Sequence, residues 1–260
     1  MTTAPSAPYV TTPTLRATEA GLTAWRHSRQ ALEEIAALPF LHQLAEGTLP
    51  AEVFVHYLLQ DSAYLSGYGR AMTLLAARAQ TAGQMRFWAR ATSDTIAEEQ
   101  TMQAELMSSE EFSALAKTMT VDGAPDPSPT TLGYTSWLIS EAAVDDYEVA
   151  VAAVLPCFWV YAEVGRHLVT TIGEAMVEHP YRRWVEVYSD PQFDAAVEEA
   201  ISIFDELYST ADENLRARML RAFERGCAYE GRFWAASHAR EEWTMHDRGA
   251  HARGGEEQHR

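Results

Sequence analysis

FVHYLLQDSAYLSGY, residues 54–68, decides the fold class. At 100° per residue Phe54, Leu58, Asp61, Leu65 and Tyr68 fall on one face, which is the repeat of an amphipathic helix. Apolar residues keep this three- and four-residue spacing through most of the 260-residue chain, and strand-like alternation bounded by turn residues is almost absent. The spacing predicts an all-α protein. Helices are expected over about 14–36, 50–79, 82–107, 130–145, 147–171, 176–188, 191–209 and 212–244, with a shorter one near 38–46. TVDGAPDPSPT, residues 120–130, interrupts the pattern with a glycine and three prolines and reads as a surface loop. Neither side of that loop has a closed set of core helices, so a single domain over 14–245 is expected. Residues 1–13 are expected to form a disordered extension and residues 246–260 a disordered polar tail.

Composition narrows the chemistry. With 47% apolar residues the chain can bury a substantial core, and two cysteines are too few for a disulfide framework. A net charge of −17 repels phosphate-rich partners, so no nucleic acid partner is expected. The single lysine, Lys117, lies in a polar stretch, which removes P-loop, Schiff-base and Ser-Lys chemistry. No GxSxG or complete GxGxxG is present. Residues 1–13 show neither a basic region nor an apolar core, so no export signal is expected, and no run of about 18 apolar residues is expected to span a bilayer. A soluble cytoplasmic protein without a membrane partner is the resulting expectation.

Three polar groups interrupt apolar stripes. Asp61 lies mid-helix, away from any capping position, so it is either a structural carboxylate holding a tyrosine hydroxyl or a functional one. In the last helix Met219, Phe223, Gly226, Glu230, Phe233 and Ser237 share a face. Glu230 is therefore either paired with an arginine such as Arg218 or Arg225, or desolvated with its carboxyl pushed toward neutral pH. In AVLPCFWVYAEVG, residues 153–165, Pro156 should kink or restart the helix. A restart would set Cys157 in a first helical turn, where the dipole favours a thiolate; otherwise the cysteine is packing, the reading given to Cys227. A thiol, two buried carboxylates and aromatics would suit a flat, protonatable heterocycle.

FxxYLLQDSAYLxxYxRA at 54–71, LPCFWVYAEVG at 155–165, HPYRRWVEVYSDPQF at 179–193 and YEGRFW at 229–234 together resemble the thiaminase II (TenA) family of aminopyrimidine aminohydrolases, in its cysteine-containing branch. The resemblance runs from about residue 20 to 240. It implies a haem-oxygenase-like helical bundle, a site without metal or cofactor, a small pyrimidine substrate and a homotetramer. It makes Cys157 the nucleophile, Glu230 the acid/base for the pyrimidine ring, and Asp61 the group that binds the exocyclic amine and orients the thiol. Tyr64, Tyr134, Tyr161, Tyr188 and Phe233 would line the pocket. The implied reaction converts 4-amino-5-aminomethyl-2-methylpyrimidine to its hydroxymethyl counterpart and ammonia in thiamin salvage, or releases the thiazole from thiamin.

Two rival readings share this architecture. A metal-dependent or haem oxidase would need ligands, and no Glu-x-x-His pair lies in any of the expected helices. Glu52 with His56 and Glu163 with His167 have i,i+4 spacing, which surface helix pairs explain more simply. A non-catalytic pyrimidine-binding regulator would have no need of a thiol beside a proton donor.

Overall fold

In a computed structural model of the chain, residues 12–121 and 124–244 are described. The expected extension up to residue 11 and the expected tail lie outside them. Ten of the helices carry the domain's core. The chain begins with three short ones, α1 (Glu19–His27), α2 (Arg29–Ala36) and α3 (Pro39–Glu46). Two long ones, α4 (Ala51–Arg78) and α5 (Ala82–Ser108), lead to α6 (Glu110–Met119). A two-residue antiparallel pair, β1 (Thr120–Val121) and β2 (Ala124–Pro125), turns the chain into α7 (Pro129–Val144) and α8 (Tyr147–Ile172). After a 3₁₀ turn, Gly173–Glu178, come α9 (Arg182–Tyr188), α10 (Pro191–Thr210) and α11 (Glu213–Ala239).

Local chemistry sets many of the ends. Side chains of Thr18, Thr81, Ser109, Ser128, Asp190 and Asp212 accept backbone N–H groups at the starts of α1, α5, α6, α7, α10 and α11. Proline opens α3, α7 and α10, where its missing N–H costs nothing. Gly47 closes α3 in the left-handed region at φ 69°.

Several expected boundaries differ, each for a tertiary or local reason. Helix is absent over 14–18 because the N–H groups of Thr14 and Leu15 donate to the buried Glu163 carboxylate at 2.8 and 2.9 Å. The expected single helix to residue 36 also breaks at Ser28. The segment expected as helix 176–188 is split by His179–Tyr181, since Pro180 forces His179 into extended backbone. α6 was not expected, although Ser109 followed by two glutamates is a start signal. The last helix stops at Ala239, where Arg240 turns left-handed at φ 50°. Glu241 then accepts the Thr130 N–H and Trp243 donates to the Pro127 carbonyl.

α8 is the central element, packed by α4, α7, α9, α10 and α11, while α4 also packs on α5. Contrary to the expectation from the sequence, Tyr147–Glu178 is long and apolar enough to cross a membrane, but 89% of its most apolar window is buried inside the fold. Its hydrophobicity is that of a helix surrounded on all sides by protein. α8 also runs without interruption through Pro156. α11 packs on it there: a Cβ on Gly226 of α11 would stand 2.6 Å from the Pro156 ring, so only glycine lets the two helices meet at the proline.

Candidate active site

Helical spacing gathers the polar groups before any tertiary contact is made. On α4, Tyr57, Asp61, Tyr64 and Tyr68 follow one another at three- or four-residue steps, and all four are buried. Cys157 and Tyr161 stand one turn apart on α8, as do Glu230 and Phe233 on α11. Tyr188 ends α9 against α8. A Cβ on Gly165 would lie 2.3 Å from the Tyr188 carbonyl oxygen, so the glycine sets how closely this tyrosine approaches.

A cavity of about 610 Å³ opens among α4, α5, α8, α9 and the start of α10. Of the eight residues picked from the sequence, Asp61, Cys157, Tyr161 and Tyr188 line it. The other four are not among its lining residues and form a buried layer behind. There the Tyr134 hydroxyl donates to Glu230 Oε1 at 2.6 Å. The Tyr64 ring centroid lies 4.9 Å from that of Tyr134 and 5.5 Å from that of Phe233. Tyr161 and Tyr188 pack at 4.7 Å.

The electrostatics of this cluster follow from burial. The Glu230 carboxyl is pushed up to about 8, chiefly by desolvation and further by the charge of Asp61, against the Tyr134 hydrogen bond, which lowers it. Arginine pairing plays no part: Arg218 binds Asp145 and Asp146, and Arg225 lies over the Trp137 ring. Burial also pushes the Cys157 thiol well up, with the charges of Glu230 and Asp61 acting in the same direction and the Tyr64 and Tyr68 hydroxyls opposing them. Because α8 does not restart at Pro156, no helix N-terminus offsets this. The surroundings therefore disfavour the dipole-stabilised thiolate, and they push the Glu230 carboxyl toward its neutral form as well. Cys157 keeps accessible surface because it faces the cavity, whereas Cys227 is fully buried.

Tyr57 and Tyr68 lie outside the set of pocket residues expected from the sequence. Tyr57 accepts a hydrogen bond from Trp184 Nε1 at 3.0 Å and packs on Phe233, bracing the aromatic layer. Tyr68 lines the cavity and donates to the Val154 carbonyl at 3.1 Å. Both sit one turn from a recognised residue on α4, which is the signal that could have found them. The pairs expected on the surface are not there: Glu163 is fully buried, accepting from the N-terminal segment, and His56 is buried as well.

Fold and site define an all-α, haem-oxygenase-like bundle with an enclosed thiol and carboxylate centre. A domain with a heme oxygenase-like fold from Shewanella denitrificans OS217 superposes with a TM-score of 0.60 over 86% of this chain and 93% of that one, at 10% identity. The chain belongs to the TENA/THI-4/PQQC family, whose model matches residues 25–240. A TenA homologue from P. horikoshii OT3 superposes with a TM-score of 0.72 at 25% identity, over 85% of this chain and 99% of that one. The aminopyrimidine aminohydrolase of Bacillus subtilis is 34% identical over 211 residues, 79% of this chain and 84% of that protein. The thiamine biosynthesis multifunctional protein ThiED of Corynebacterium efficiens is 35% identical over 210 residues, 81% of this chain but only 27% of that protein. The chain thus spans about a quarter of ThiED's length.

Proposed function

We propose that the protein is an aminopyrimidine aminohydrolase of thiamin salvage, hydrolysing 4-amino-5-aminomethyl-2-methylpyrimidine to the hydroxymethyl pyrimidine and ammonia. The observation that carries this reading is geometric: Cys157 and Asp61 face one cavity, and behind it stands the buried Glu230 carboxyl, which burial pushes up to about 8. Such a carboxyl is protonated at neutral pH and can donate to a ring nitrogen.

In the reaction, the Cys157 S–H proton passes to Asp61 as sulfur bonds to the ring carbon beside the substituted one. Glu230 gives its proton to the ring nitrogen, which requires that nitrogen to reach the back of the cavity against the buried layer, so no charge accumulates on the ring. Electrons returning from the ring break the bond from the methylene arm to its protonated nitrogen, which leaves as neutral ammonia. Water adds to the methylene carbon and gives its proton to the departing ammonia. The ring nitrogen then returns its proton to Glu230, sulfur departs, and the thiol is reprotonated. Burial favours this sequence because each acid and base begins and ends neutral or paired. Tyr161 and Tyr188 flank the ring from the cavity wall, and Tyr134 holds the Glu230 carboxyl in place.

Thiamin, with its thiazole as leaving group, is a second substrate of the same chemistry, and the cavity volume is larger than the aminomethyl pyrimidine needs. A homotetramer in the cytoplasm completes the proposal. The deciding assay is ammonia release from the aminomethyl pyrimidine by purified protein, beside thiamin at equal concentration. Turnover by the wild type and its loss in Cys157→Ser are expected; tight binding without turnover would instead favour a regulatory pyrimidine-binding protein.

A further inference from the structure

On α5, Ala91, Thr95 and Glu98 turn one face into the cavity wall opposite α8. Glu98 Oε1 is buried and has no hydrogen-bond partner among the described residues. A carboxylate oxygen in that state is costly unless something else meets it. Three other charged groups of the cavity lining are occupied. Arg183, the one cation among the lining residues, gives its Nε to both carboxylate oxygens of Glu105, at 2.9 and 3.1 Å. Glu186 pairs with Arg182 at 3.1 Å, and Asp190 accepts the Gln192 N–H at 2.6 Å as the cap of α10. Glu98 therefore lines the same cavity as Cys157 and Asp61 without an ion pair among the described residues.

We propose that Glu98 is a specificity residue that receives the positively charged arm of the substrate. This rests on the function proposed above. A primary amine on a methylene arm is protonated at neutral pH, as a lysine side chain is, whereas the hydroxymethyl group of the product is neutral. An ammonium donates to a buried carboxylate in a charge-assisted hydrogen bond, and a hydroxyl gains much less from it. Glu98 thereby holds substrate more tightly than product and favours release once ammonia has left. Burial raises the Glu98 carboxyl from its ordinary range, and the charges of Glu105 and Asp190 add to that against Arg183. A cation in the cavity relieves that cost.

The test is calorimetric titration of Cys157→Ser, and of Cys157→Ser combined with Glu98→Gln, with the aminomethyl and the hydroxymethyl pyrimidine separately at neutral pH. Glu98→Gln should weaken binding of the amine by about 10- to 100-fold, the value of a hydrogen bond to a charged group, and leave that of the alcohol unchanged. An equal loss for both ligands, or no loss for the amine, overturns the assignment. Ammonia release by the wild type is measured alongside. Its absence sinks the proposed reaction while the amine-to-alcohol ratio still judges Glu98, and failure of either ligand to bind overturns both.

Discussion

Replacing Tyr134 with Phe removes one oxygen and, with it, the 2.6 Å hydrogen bond to Glu230. That bond stabilises the charged carboxylate and is the one influence holding Glu230 down. A hydrogen bond to a charged group contributes about 1.5–3 kcal/mol, and one pKa unit corresponds to about 1.4 kcal/mol. Glu230 should therefore rise from about 8 by a further one to two units. In the proposed mechanism Glu230 acts as an acid, so activity falls as pH climbs through its pKa. The assay is ammonia release as kcat/KM across pH 6 to 10, compared with each enzyme's own maximum. Tyr134→Phe should carry the alkaline limb upward by about one unit or more, even if its maximum rate is lower. A limb that stays in place, or moves to lower pH, would refute the assignment of Glu230 as the proton donor.

Other outcomes follow from the same geometry. Cys157→Ser should lose turnover by several orders of magnitude while keeping its affinity for the hydroxymethyl product, and Cys227→Ser should keep most activity; equal losses would make the effect one of packing. Glu230→Gln removes a carboxyl whose pKa rises on folding from 4.5 to about 8, so the native state binds the extra proton. That group's penalty is absent below about pH 4.5 and grows to at most about 5 kcal/mol above pH 8. Denaturation midpoints should accordingly show Glu230→Gln gaining on the wild type as pH rises, and a constant difference across pH would contradict the burial of an ionisable group there. Gly165→Ala puts a methyl group against the Tyr188 carbonyl and should cost about 1–3 kcal/mol in urea unfolding, with weaker product binding as Tyr188 is displaced. Unaltered stability would mean that α9 is free to shift.

Much of the site was legible because helices write their faces into local spacing. Asp61 among Phe54, Leu65 and Tyr68, and Glu230 among Phe223 and Phe233, are carboxylates where the 3.6-residue repeat calls for apolar side chains, and both are buried. Glu98 was not legible. It lies on a helix whose faces are mixed, and its isolation depends on Arg183 being taken by Glu105, 78 residues away in sequence. Nor could the state of Cys157 be read from Pro156. The dipole argument needed a new helix start, whereas α8 runs on through the proline with Gly226 packed over its ring.

By itself the sequence determined the all-α class, the long helices α4, α5, α8, α10 and α11, and the carboxylates that face inward, since each depends on neighbours within a turn or two. Tertiary structure alone decided that Asp61, Cys157, Tyr161 and Tyr188 share one cavity while Tyr64, Tyr134, Phe233 and Glu230 stand behind it. It also decided that residues 14–18 leave the helix to satisfy Glu163, and that the surroundings disfavour the charged forms of thiol and carboxyl. The physical reason is the range of the forces involved. Periodicity is a property of one helix, but desolvation and the field of a neighbouring charge exist only once several helices have excluded water from the space between them.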